Sequence, residues 1–370
     1  SDLLLVGIND YPPGTDKLEG CVNDVENVRT TLRDLYVDPA IEVLTDGDAT
    51  YANVIASFRS HLGRAGKGDV AYFHYSGHGA RSRAAAEFHK FDRDLRDQGL
   101  VCVDSRIGDN YDLADKELAV LIAELARNEP QIALLLDCCH SGTGTRDLEG
   151  AGTAGVRGTG EGNFPRHIET YLDGFYARQL GTDGAIAIPQ QRHILMAAAD
   201  RDETAKEDLD THRGIFTTAL YDVLREGGSE QSYAELFVRT RARVTQYITR
   251  TNKTPQRPQF ETIAGFDGWT PFLGQGSRTN RSMVAGVSRA GLKPIMVISV
   301  LALLLNIPAN YVLINSLFGL PNNSPNNQVG DGVNENDKPF LSAFPYVGTP
   351  HQGYEHDHHA VGGTATPKLN

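Results

Sequence analysis

Two short motifs in the 370-residue chain carry reactive side chains at the ends of apolar runs: "YSGHG" at 75–79, within "VAYFHYSGHG", and "DCCHSG" at 137–142, after "IALLL". A thiol is a weak nucleophile at its ordinary pKa. Beside an imidazole that stabilises the thiolate and later protonates the leaving group it becomes effective, so His78 with Cys138 or Cys139 points to acyl transfer. Gly77 and Gly79 permit tight backbone around His78, and the Gly79 amide is placed to meet a developing oxyanion. A vicinal cysteine pair closes poorly on itself as a disulfide. It also lacks the C-x-x-C spacing of a redox or metal-binding switch.

Such chemistry requires the two motifs side by side. Strand-like apolar patterns at 3–8, 42–45, 70–75, 132–137, 193–199 and 259–264 alternate with helical ones at 24–35, 51–64, 115–127, 167–180, 215–226 and 232–249. That alternation predicts an α/β fold, a mainly parallel central sheet flanked by helices. Parallel strands joined by right-handed crossovers end on one shared edge, where such folds bind ligands, so His78 and a cysteine are expected to converge there. Asn23 reads as the N-cap of the first helix, with Glu26 in the capping-box position. Residues 80–112 read as a charged loop with a small hairpin, and the glycine-rich stretch 142–166 as an exposed, flexible linker.

Composition narrows the setting. Four cysteines (Cys21, Cys102, Cys138, Cys139) do not make a disulfide framework and fit a reducing, cytoplasmic compartment; no signal peptide is visible before "DLLLVGIN". The formal charge of −12, carried by the first 275 residues, argues against a nucleic-acid groove. Residues 276–370 differ in composition and form a C-terminal appendage. Its apolar segment 294–320 is interrupted by Asn306, Pro308, Asn310 and Asn315, and the unbroken part, 295–305, falls short of the roughly 20 residues that span a bilayer. A buried or interfacial hairpin is expected there, with membrane or partner contact as its role, ahead of a His-rich end.

Several motifs agree in order with one family. "LLVGINDY", "LEGCVNDV", "VLTDGDAT", "GDVAYFHYSGHG", "LLLDCCHSGTGTR" and the later "RGIFTTALYDVL" and "PQRPQF" resemble a caspase-fold cysteine peptidase of the metacaspase branch, the prokaryotic form called orthocaspase, over residues 1–265. The resemblance implies a peptidase domain at 1–275, with a large-subunit-like part (1–145) and a small-subunit-like part (190–275). The family string D-S-C-H-S-G puts the nucleophile on Cys139, with His78 as base and acid, and leaves Cys138 as a small core residue. The Gly79 and Cys139 amides are then the oxyanion donors. Asp24 and Asp137 are implied as the pocket for Arg or Lys before the scissile bond, which two carboxylates, one in the first turn of a helix, would favour.

The family often requires calcium; Asp104 and Asp115 stand where it has ligands, while Lys116 stands where it commonly has a second acid. Arg146, Arg157, Arg166 and Arg178 are the expected self-cleavage points, because proteolysis concentrates in exposed flexible segments. The expected partners are proteins or peptides with Arg or Lys at the cut. The rival reading is a non-catalytic caspase-like adaptor that engages a membrane or partner through 276–370.

Overall fold

The computed structural model describes residues 1–91, 95–139, 155–160, 166–181 and 184–274. Its elements in chain order are β1 (Asp2–Gly7), α1 (Cys21–Leu35), β2 (Ala40–Thr45), α2 (Tyr51–Ser60), β3 (Val70–Ser76), β4 (Gly79–Arg83), β5 (Arg96–Leu100), β6 (Leu113–Ala114), α3 (Asp115–Ala126) and β7 (Gln131–Asp137). There follow α4 (Phe175–Gln179), β8 (His193–Ala197), β9 (Glu207–Asp208), β10 (Arg213–Gly214), α5 (Ile215–Gly227), α6 (Tyr233–Thr251) and β11 (Gln259–Ile263). The apolar segment 294–320 and the rest of 276–370 lie outside the described residues.

Six strands form one sheet in the order β11-β8-β7-β3-β1-β2, parallel throughout except for β11, which runs against β8. The alternation of side chains along β1, β3 and β7 sends residues to two layers. Leu4, Val6, Phe73, Tyr75, Leu134, Leu136 and Cys138 pack with Val54, Phe58 and Leu121 of α2 and α3. Leu3, Leu5, Tyr72, Leu135 and Cys139 face the opposite layer, with Val25, Val28 and Leu32 of α1 and Leu220 and Leu224 of α5. Each of these buried side chains contributes about 1.5–3 kcal/mol of transfer free energy. The charged region 80–112 holds more order than expected, since β4, β5 and β6 pair as a small antiparallel sheet.

Two sequence expectations need correction. Helix α1 begins at Cys21 and not at 24: its first amides are capped from a distance, Asn9 Oδ1 accepting from Cys21 N at 2.8 Å and from Val22 N at 3.3 Å. Asn23 therefore lies inside the helix and not at its cap. The second correction concerns the linker. Within 155–160, Gly158 bridges Gly79, Val156 bridges Lys206, and Arg157 is wholly buried.

Candidate active site

Strands β3 and β7 are neighbours in register, Ser76 opposite Asp137, so their C-terminal ends deliver His78 and Cys139 to one edge as the chemistry requires. Glycine is obligatory at position 79. A Cβ there would lie 1.9 Å from the Cys139 carbonyl oxygen, so any other residue would push the two motifs apart.

The imidazole of His78 is held on both sides. Its Nε2 donates to the Asp16 carbonyl at 2.7 Å, Tyr11 stacks at a centroid distance of 4.8 Å, and the Tyr11 hydroxyl accepts from the His78 amide at 2.9 Å. With the proton assigned to Nε2 by that bond, Nδ1 keeps its lone pair; it is buried and has no hydrogen-bond partner. Burial pushes the imidazole pKa below its ordinary value. The Cys139 thiol is fully buried, accepts from Ala205 N at 2.9 Å and donates to Ala205 O at 3.4 Å, and is pushed up to about 12 by desolvation. Thiol and imidazole are thus both neutral at rest.

Arg157 fills the space beside them. Its guanidinium meets Asp24 Oδ2 at 2.5 Å, Asp137 Oδ2 at 3.0 Å and Glu207 Oε1 at 3.2 Å, all four side chains being essentially unexposed. Its carbonyl oxygen accepts from Gly79 N at 3.1 Å and Cys139 N at 2.8 Å. A Cβ placed on the next residue, Gly158, would be 3.3 Å from the Cys139 sulfur, so the thiol sits against the Arg157–Gly158 linkage. The segment is held as an added strand: Arg157 N donates to Ala205 O at 3.0 Å, Glu207 N donates to Gly155 O at 2.7 Å, and Val156 bridges Lys206.

The acids are themselves fixed. Asp24 accepts from Gly214 N at 2.9 Å, Asp137 Oδ2 accepts from Thr217 Oγ1 at 2.6 Å, and Glu207 accepts from the Glu19 and Gly20 amides. Gly214 closes the floor, where a Cβ would come within 2.5 Å of both the guanidinium and Asp137. Burial among other carboxylates raises Asp24 to about 7 despite Arg157. For Glu207 burial pulls upward too, but Arg157 and the two backbone amides outweigh it and the pKa falls.

His78, Cys139, Gly79, Asp24 and Asp137 therefore converge as expected. Glu207, Asp16, Gly214 and Ala205 join them from positions that no spacing signal marks. Of the expected cut points, Arg157 occupies the pocket and Arg146 lies outside the described residues. Arg178 is exposed on α4. Arg166 is a correction: it is buried, forks onto Glu117 at 2.6 and 3.0 Å, and stacks on Tyr171 at 3.9 Å, so it anchors its segment and is not open to cleavage.

The acids proposed for calcium engage other partners. Asp104 Oδ1 accepts from Tyr51 N at 2.7 Å, at the start of α2, and its Oδ2 accepts from Asn110 Nδ2 at 3.2 Å. Asp115 meets Lys116, whose buried ammonium also lies 3.0 Å from Asp97 Oδ1 and 3.1 Å from the Arg96 carbonyl. Asp115 is thus paired with a side-chain cation, while Asp104 accepts from neutral donors. Among the described residues no group of three or more His, Cys, Asp or Glu is placed to hold a metal.

His78, Cys139, two convergent amides and an acidic pocket thus lie together at the C-terminal end of a six-stranded, mainly parallel sheet. The caspase-domain family matches residues 3–264, and the chain belongs to that family. It is 34% identical over 148 residues to Metacaspase-9 of Arabidopsis thaliana, covering 38% of this chain and 42% of that one. To Metacaspase-5 of Trypanosoma cruzi it is 27% identical over 311 residues, 79% of this chain and 64% of the relative. The chain thus spans less than two thirds of those relatives' lengths. A solved structure of a Geobacter sulfurreducens protein superposes with a TM-score of 0.51 at 20% identity, covering 74% of this chain and 97% of that one, which shows a shared fold.

Proposed function

We propose that the protein is a cysteine endopeptidase that cleaves after Arg, and Lys less readily, and that its first substrate is its own Arg157–Gly158 bond. One observation carries the reading: a guanidinium lies among three carboxylates while the carbonyl of the same residue accepts from the Gly79 and Cys139 amides. The planar fork of Arg meets Asp137 through Nη1 and both Asp24 and Glu207 through Nη2. Lys would bring one point charge.

In this mechanism the thiol turns from the Ala205 carbonyl toward Nδ1 of His78, which takes its proton as sulfur attacks the Arg157 carbonyl carbon. The oxyanion is stabilised by the two amides, a contribution on the order of 3 kcal/mol per donor. Collapse breaks the C–N bond and His78 gives its proton to the Gly158 amine. Water, deprotonated by His78, then attacks the thioester; the products are the Arg157 carboxylate and the restored thiol. Both catalytic positions are filled, which favours this reading over the adaptor.

Intact mass and N-terminal sequencing of incubated protein provide the test. The expected fragments are 1–157 and 158–370 from wild type, and none from Cys139→Ala. New ends elsewhere but not at Gly158, or equal cleavage in Cys139→Ala, would overturn the proposal. Matched peptides ending in Arg, Lys or Asp assign the pocket independently; a preference for Asp would overturn it.

A further inference from the structure

We propose that residues 155–157, once severed from Gly158, stay seated and act as a tethered product inhibitor of the same site. The inference rests on the peptidase reading above. It adds that the cut by itself does not open the enzyme to other substrates.

The argument turns on which side of the scissile bond holds the contacts. On the acyl side lie all three carboxylate pairings of the Arg157 guanidinium, the Arg157 N to Ala205 O and Glu207 N to Gly155 O bonds, and the Val156–Lys206 bridge. Val156 also packs against the α1/α5 layer of the core. The leaving side has little by comparison: Thr159 N donates to Gly79 O at 3.1 Å, and Gly158 bridges Gly79. Hydrolysis alters only the Arg157 carbonyl, which becomes a carboxylate and still faces two amide donors. Every acyl-side contact survives the reaction.

The seated fragment also cannot diffuse away. Its chain runs back to Cys139, the residue after β7, through residues 140–154. It therefore competes with an incoming peptide intramolecularly, and its occupancy of the pocket raises the apparent KM for that peptide.

A second, orthogonal cut tests the idea in the full chain. Residues 147–153 are replaced by the recognition sequence of a glutamine-specific viral protease. After self-cleavage at Arg157, the kinetics of an Arg-terminated fluorogenic peptide are measured before and after that protease acts. The expected result is a fall of at least 10-fold in KM with kcat little changed, reversed competitively by added Ala-Gly-Val-Arg with a free carboxylate.

An unchanged KM overturns the tethered-inhibitor inference and leaves the peptidase reading standing. Absence of both a cut at Arg157 and Arg-peptide hydrolysis overturns the peptidase reading and the inference with it. The unmodified chain gives a second readout should the insertion disturb folding: in self-cut wild type, iodoacetamide should alkylate Cys139 at least 10-fold more slowly than it alkylates a cysteine peptide of the same local sequence. A comparable rate would overturn the inference.

Discussion

At the residue scale, adjacent positions near a strand end face opposite layers, and this separates the two cysteines. Cys138 packs with the α2/α3 layer and Cys139 with the α1/α5 layer. Cys138→Ala should therefore cost about 1 kcal/mol of stability, with peptide hydrolysis retained within about threefold, whereas Cys139→Ala should remove at least about 1,000-fold of activity. Steady-state assays and urea melts on the two variants make the comparison. Glu207→Gln removes one charge from the pocket; kcat/KM for Arg peptides should fall roughly 10- to 100-fold, since a hydrogen bond to a buried charge is worth about 1.5–3 kcal/mol. At this scale strand ends pointed to His78 and to the Cys138–Cys139 pair, while the choice of Cys139 and the pocket acids Asp24 and Asp137 came from the resemblance to metacaspases. Glu207 was not legible. It lies in a short strand without periodicity and reaches the site only through folding across some 180 residues from Asp24.

At the element scale, strand β3 carries a burial cost that should be visible in pH dependence. His74 is fully buried, its Nε2 bonded to Ser76 Oγ at 3.0 Å, and desolvation, with Arg157 nearby, lowers its pKa to about 3. An unfolded histidine takes up its proton near pH 6.5, so between about pH 6.5 and 3 the unfolded state binds more protons than the folded one. Stability should fall as pH drops through that window. Thermal melts of His74→Gln against wild type should show a shallower decline below about pH 6.5, with little difference in slope above it.

Helix α1 offers a second test at this scale. Asn9→Ala deletes the remote cap and should lower stability by about 1 kcal/mol, seen as a lower Tm. Most helices and strands were readable from apolar spacing to within a few residues. The start of α1 was misplaced because its capping group comes from the loop after β1, which helical periodicity does not register. The linker was misread for a related reason: glycine content reports conformational freedom, while the ordering of 155–160 comes from carboxylates and strand edges elsewhere in the chain.

At the scale of the molecule, the sheet itself crosses the Arg157–Gly158 bond. Strand β7 precedes it, β8 follows it, and the two pair in parallel from Ala133 with Ile194 to Leu136 with Ala197. Beyond the bond, Arg166 is also anchored to Glu117 before it. The pieces of a self-cut chain should co-elute on gel filtration in native buffer and separate only in denaturant; elution as two species in native buffer would contradict this. The parallel sheet was legible from alternating patterns, but the way the halves interleave depends on strand order, which spacing does not encode.

The burial of Cys139, His78 and Arg157, at 0%, 1% and 0% exposure, also fixes the kinetic order of the first event. Because Arg157 is already seated in its own chain's pocket, the rate of disappearance of intact chain should be first order and unchanged by dilution. Self-cleavage would then run as an internal clock, timed separately in every molecule, and would not spread through a population as a chain reaction.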